Sequence, residues 1–204
     1  MKISVGDLIF KDGRTSWNLI GNLIRTIQNN GIHPDNEYCP YHVGIVIEEA
    51  EDIKDIKVLN MFMPKIKIQT ISKWLENSNI NTVIRSYNGF IPDYKRRTMK
   101  NLMWAYYKAG VKYDFISVIG IGLKYLIMKK VNNKFVKWAI RWFWNDNVNH
   151  KVWLNCAELI WKIYASVGLV PVSFFPDYAM PINYYKSKQW TTVYRHYNFE
   201  YPRT

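Results

Sequence analysis

The sequence predicts one domain of mixed helices and strands, and three observations predict it. At 204 residues, 49% apolar and 16% aromatic, the chain can bury a sizeable core, and it is too apolar to remain disordered. Val43, Ile45 and Ile47 alternate with His42, Gly44 and Val46, the two-residue period of a strand. A charged, turn-like segment from Glu49 to Asp55 then leads into a second strand, Ile56 to Met61. Near the other end, Leu159, Ile160, Ile163 and Val167 recur at helical spacing, with Asn155 as N-cap and Gly168 as stop. No repeat, low-complexity tract or linker divides the chain. Residues 1–204 are therefore expected to form a single domain, with a helical basic and aromatic insertion at about 115–149.

The remaining elements follow in order. Gly6 to Phe10 is a first strand, and Lys11-Asp12-Gly13 carries the Asp-Gly signal of a turn. Ser16 caps a helix from Trp17 to about Gln28, which presents Leu19, Ile20, Leu23, Ile24 and Ile27 on one face. A loop from Ile32 to Pro40 delivers the chain to His42. After Asn60 come a short alternating stretch, Lys65 to Ile68, a helical turn from Thr70 or Ser72 through Leu75, and a strand from Thr82 to Tyr87. Asp93 caps a helix ending at Gly110, with Met99, Leu102, Met103 and Tyr106 on its buried face. Phe115 to Met128 is apolar but interrupted by Lys124, and reads as a buried helix. Lys130, Lys134, Lys137 and Arg141 then form one cationic stripe on a tryptophan-rich helix. Such a stripe is either a solvated face or a contact with an anionic surface. Pro176 and Pro181 bar a long helix after the cysteine helix, and Thr191 to Arg195 is a last strand.

The chemistry centres on Cys156, the first residue after the Asn155 cap. There it lies at the positive end of a helix dipole among free N–H donors, which favours thiolate and should lower its pKa. Those donors could also hold an oxyanion. The plain alternative is a small buried apolar residue. Among the four histidines, only His42 begins a strongly patterned strand. If the two strands pair with Glu48 opposite Ile56, Gly44 faces Asn60, and His42 is the diagonal neighbour of Asn60 on the same face. Diagonal neighbours lie roughly 7–8 Å apart, within side-chain reach. Cys156, His42 and Asn60 thus make a candidate Cys-His-Asn set.

Gly6-Asp7-Leu8-Ile9-Phe10, Tyr41-His42-Val43-Gly44-Ile45, Gly110-Val111-Lys112-Tyr113-Asp114 and Asn155-Cys156-Ala157-Glu158-Leu159-Ile160, in this order, resemble the circularly permuted branch of the NlpC-type papain-like cysteine hydrolases. The resemblance runs from about Val5 to Gly168. It implies an α+β, papain-like fold, an antiparallel sheet packed against helices, and a thiol nucleophile acting on amide or ester bonds. The family's third site position varies and is often Glu; here it would be Asn60. The family places the tyrosine of the Tyr-Asp motif close to the nucleophile, which makes Tyr113 a candidate oxyanion or substrate donor beside its plain reading as a packed aromatic. The implied function is cleavage of an amide bond, in a peptidoglycan peptide or another peptide-like linkage, through an acyl-enzyme.

Two rival readings remain. The lecithin:retinol acyltransferase-like branch shares the permuted order and an Asn-Cys-Glu start, which points to a lipid acyltransferase or phospholipase at a membrane surface. That branch places His where Asn60 stands. A non-catalytic module binding an acidic polymer would use the net charge of +12. No nucleic-acid motif is present, so no specific nucleic-acid partner is expected; an anionic polymer or lipid is one reading of the charge, and a soluble, Lys-rich chain is the other. Cys39 and Cys156 make no disulfide framework, and a clip of His33, Cys39 and His42 lacks the cysteine pair of a zinc site. No metal or cofactor is expected. Without a signal-peptide pattern or a run of 18 apolar residues, the reading is a cytoplasmic protein.

Overall fold

The computed structural model describes residues 2–13, 21, 24, 38–62, 64–76, 80–114, 154–172 and 180–198. Within them, β1 (Leu8–Gly13), β2 (His42–Glu48), β3 (Lys57–Phe62), β4 (Lys65–Thr70), β5 (Ile80–Tyr87) and β6 (Trp190–His196) form one sheet in the order β4-β3-β2-β1-β5-β6. Every neighbouring pair is antiparallel. The helices are α1 (Ile71–Leu75), α2 (Asp93–Lys108), α3 (Cys156–Ala165) and α4 (Pro181–Lys186). A mixed α+β fold with an antiparallel sheet is therefore what the chain adopts.

The β2–β3 hairpin sets the register on which the site depends. Gly44 pairs with Asn60, as the assumed register requires. A bulge between Val46 and Glu48 then brings Glu48 opposite Lys57 rather than Ile56. The turn holds a 3-10 helix, Ile53–Asp55, opened by Asp52, whose carboxylate accepts from the Lys54 N–H at 2.8 Å.

One sequence expectation is corrected here. Lys11-Asp12-Gly13 is not a turn but the end of β1, paired with Thr82, Asn81 and Ile80 of β5. Sheet pairing overrides the Asp-Gly signal, and the buried Asp12 carboxylate accepts the Cys39 N–H at 3.0 Å. The region after the cysteine helix holds α4, a helix of six residues, in keeping with prolines that bar a long one. Pro181 occupies its first position, where no N–H is needed, and the Asn183 carboxamide accepts from the Met180 N–H at 2.7 Å. Most of the expected helix at 16–28 lies outside the described residues; Gly21 and Ile24 within it are helical. The whole 115–149 insertion also lies outside them.

The sheet has two buried faces. On one, Leu8, Phe10, Val43, Ile45, Leu59, Met61 and Val83 pack against Met99 and Met103 of α2 and Leu159, Ile160 and Ile163 of α3. On the other, Ile9, Val46, Val58 and Ile84 pack against Ile71 and Trp74 of α1. Each such side chain contributes about 1.5–3 kcal/mol on burial. The α3 face is tied to the start of β1 by the Tyr164 hydroxyl, which donates to the Gly6 carbonyl at 2.7 Å. Gly6 meets it with a positive φ of 99°. Among the described residues, no helix is long and apolar enough to cross a membrane.

Candidate active site

Cys156 is the first residue of α3, and Asn155 caps it as its side chain predicts: Oδ1 accepts from the Glu158 N–H at 2.9 Å. The helix lies on β2 and β3, and its first turn meets the start of β2. The backbone N–H groups of Val43, Ala157 and Cys156 itself reach the sulphur. They favour thiolate, as the dipole argument expects. Burial outweighs them: the residue is 3% exposed, and loss of solvent pushes the thiol up to about 11. The expected lowering is thus reversed, because three weak donors return less than the hydration a buried thiolate gives up.

His42 opens β2 and projects from the face opposite Val43. Its imidazole stacks on Trp74 of α1, with ring centroids 5.6 Å apart and planes at 26°. Gly44 makes this possible. A Cβ there would lie 2.8 Å from Val58 Cγ1 and 3.0 Å from Trp74 Cζ2, so the indole lies directly over β2. Asn60, opposite Gly44 and 1% exposed, sits beside the imidazole and favours its charged form. Neither carboxamide atom of Asn60 meets a partner at full hydrogen-bond geometry, a slack contact of a kind that tightens once a site is occupied.

Lys11 pairs with His42 directly across β1 and β2, and its Nζ stands 4.2 Å above the Trp74 ring. Burial alone draws this ammonium down to about 8. Burial first, then the Lys11 charge, hold His42 down at about 3 against the pull of Asn60. Thiol and imidazole are therefore both neutral in this state.

Tyr113 forms a parallel bridge with Leu154, two residues before the cysteine, and is 8% exposed. Burial raises its pKa, and a charge on Cys156 raises it further. Tyr184 of α4 feels the same charge behind burial, and its hydroxyl donates to the Ala157 carbonyl at 2.7 Å. The structure thus gathers Cys156, Tyr113 and Tyr184 on the α3 side, and His42, Asn60, Trp74 and Lys11 on the other face. The two groups lie on opposite faces of β2 and are linked through its backbone, where Val43, whose N–H reaches the sulphur, follows His42. Trp74, Lys11 and Tyr184 were not singled out from sequence. Lys11 carried a misleading turn signal, and Trp74 sits in a single turn of helix without a pattern to orient it.

Cys39 is buried, and its N–H donates to the Asp12 carboxylate. His196, on β6, has its Nε2 3.1 Å from Asn198 Oδ1, and His33 and His150 lie outside the described residues. Among the described residues, no group of three or more His, Cys, Asp or Glu side chains could hold a metal ion.

No family model and no curated protein matches the chain. Its fold is similar to the crystal structure of metalloprotein yiiX from Escherichia coli O157:H7, a DUF1105 protein. The alignment covers 97% of this chain and 99% of that one, at a TM-score of 0.59 and 14% identity. At that identity the likeness is one of fold.

Proposed function

We propose that the chain is a cysteine hydrolase of the permuted NlpC-type papain-like kind, cleaving an amide bond through Cys156, His42 and Asn60. One observation carries the reading. An Asn-capped helix opens on a cysteine, and that cysteine takes the N–H of Val43, the residue following a histidine that lies between Asn60 and Trp74. In the proposed reaction the His42 imidazole turns from its place on Trp74 around the start of β2 to reach the thiol on the other face. His42 takes the Sγ proton as sulphur attacks the carbonyl carbon, since a neutral pair does not begin as a thiolate. The N–H groups around the sulphur hold the tetrahedral oxyanion, with Tyr113 as a further donor. Collapse breaks the C–N bond, and His42 returns its proton to the leaving amine. Water, deprotonated by His42, then cleaves the thioester and regenerates the thiol. Asn60 orients the imidazole by accepting from its second N–H.

The Escherichia coli neighbour is called a metalloprotein. The groups that feel the charge of Cys156 are the phenols of Tyr113 and Tyr184, and among the described residues no group of three or more His, Cys, Asp or Glu side chains could hold a metal ion.

The test is covalent trapping. A peptidyl vinyl sulfone should add one equivalent to Cys156, read by intact mass and peptide mapping. Cys156→Ser should take up none, and His42→Ala should react about 10²–10⁴-fold more slowly. Equal labelling of wild type and His42→Ala would sink the reading.

A further inference from the structure

We propose that the corner of the molecule carrying Phe90, Tyr94 and Val170 docks on an anionic lipid bilayer, with Phe90 inserted and Lys186 and Lys188 on the headgroups. This contact is independent of the chemistry at Cys156, which opens α3 at the opposite end, about 15 Å away along the helix axis.

Three segments meet at this corner. The turn after β5, Asn88 to Pro92, is held to the turn before β6. The Asn88 N–H donates to the Gln189 carbonyl at 2.8 Å, and Asn88 Nδ2 donates to the Lys188 carbonyl at 2.6 Å. The segment after α3 joins them, because the Trp190 indole N–H donates to the Pro171 carbonyl at 3.1 Å and Val170 precedes that proline. The first turn of α2 adds Tyr94. The apolar side chains gathered here face water: Phe90 is 88% exposed, Tyr94 66% and Val170 59%. Among the described residues they are the three most exposed large hydrophobic side chains. Such side chains scattered singly are ordinary, whereas three at one corner mark a contact surface.

The backbone holds Phe90 outward. A Cβ at Gly89 would lie 2.5 Å from the Tyr87 ring, so Gly89 presses on that ring, and Tyr87 meets Trp190 edge-on. On the other side of Phe90, Ile91 is buried in the core. The ring therefore stands on a pre-formed turn, and little ordering is needed when it inserts.

The charge around it is positive. In the stretches that build this corner, residues 86–97, 166–171 and 184–191, Asp93 stands against Lys95, Arg96, Arg97, Lys186 and Lys188. Arg97, Lys186 and Lys188 are exposed. Glu51, Asp52 and Asp55 are exposed at the same end of the sheet, on the β2–β3 turn. β1 separates β2 from β5, and two strand spacings are roughly 10 Å, so a molecule leaning on its β5–β6 corner keeps these carboxylates off an anionic surface. A protein partner needs a broad face, about 800 Å² on each side. Three protruding side chains among Asn88, Ser166 and Ser187 do not make one. Apolar tips flanked by an amphipathic tyrosine and by lysine stems are what a headgroup interface accepts.

The test is co-sedimentation of the full chain with vesicles. Binding to phosphatidylcholine vesicles containing about 30% phosphatidylglycerol should be about tenfold tighter than to phosphatidylcholine alone. Phe90→Ser should weaken binding about tenfold, and Phe90→Trp should strengthen it about threefold. Lys186→Gln with Lys188→Gln should weaken binding to the anionic vesicles about tenfold and leave binding to phosphatidylcholine unchanged. Lys65→Gln with Lys112→Gln, at the opposite end of the sheet, removes the same charge and should change binding by less than about twofold. Thermal melts confirm that each variant is folded. A chain that ignores the vesicles overturns the proposal. So does equal binding of wild type and Phe90→Ser, or an equal loss for the two lysine pairs, since net charge alone would then draw the chain to lipid. A dimer in solution that Phe90→Ser dissolves also overturns it and gives the patch to a second copy. Vinyl sulfone trapping of Cys156 should run at one rate in wild type and Phe90→Ser. If neither is trapped while vesicles bind as stated, the hydrolase reading fails and the lipid contact stands.

Discussion

Burial moves the two central side chains in opposite directions, the Cys156 thiol up to about 11 and the His42 imidazole down to about 3. Both shifts favour the uncharged form, so the free protein should hold a neutral pair. Alkylation of Cys156 by iodoacetamide should therefore climb through pH 9 to 11, while in urea the same thiol should titrate near an ordinary value of about 8.5. A reactive plateau below pH 8 in the folded protein would contradict this. His42 also links pH to stability. Its folded pKa is depressed, so between about 3 and 6.5 the unfolded chain binds a proton that the folded one refuses. Stability is full above the unfolded pKa and is lost as pH falls through this window. His42→Gln should flatten the pH dependence of the unfolding free energy between about pH 4 and 6 by up to about 1.4 kcal/mol per pH unit. Urea titrations of both proteins at several pH values measure it, and identical slopes would mean that His42 is charged in the folded state.

At the scale of elements, α1 acts through one side chain, and the strand beneath it must be bare to receive it. Adding a methyl at position 44 would meet Val58 Cγ1, Trp74 Cζ2 and, at 3.1 Å, the Leu59 carbonyl. The carbonyl belongs to a paired strand and cannot move aside. Gly44→Ala should cost about 1–3 kcal/mol, read from urea unfolding. In a double-mutant cycle with Trp74→Ala, the two losses should be less than additive, because removing the indole removes one clash. The cap of α3 makes a separate prediction. Asn155→Ala should cost about 1 kcal/mol, whereas Asn155→Asp should keep the cap and the stability. The hairpin and this helix were legible in the sequence because each carries its own period and stop signal. The Gly44–Asn60 register was an assumption that the pairing of β2 with β3 bears out, with a bulge between Val46 and Glu48 that local pattern did not show. The direction of the thiol shift was not legible, because a helix start displays its donors in sequence but not how much protein will close over them.

For the whole molecule, the sheet order could not be read from local pattern. β1 lies between β2 and β5, and β5 brings in β6 from the far end of the chain, so the contact of Lys11 with the site depends on pairings between distant segments. What closes the sheet at that far side is Trp190, the first residue of β6. It is 2% exposed, its indole N–H donates to the Pro171 carbonyl at 3.1 Å, and its ring meets Tyr87 of β5 and Tyr164 of α3 edge-on at 5.4 and 5.3 Å. Tyr164 in turn holds Gly6 at the entry to β1. One side chain therefore joins the last strand, the cysteine helix and the first strand. Trp190→Ala should cost about 3–5 kcal/mol, since it opens a large cavity and strands two aromatic partners. The loss should appear as a lowered midpoint with an unchanged denaturant slope, and far-UV circular dichroism and alkylation of Cys156 should report the same transition. If β6 and α3 instead unfolded in separate steps, the thiol would become reactive at a denaturant concentration different from that at which the sheet melts. That outcome would mean that Trp190 packs locally and does not couple the two ends of the chain.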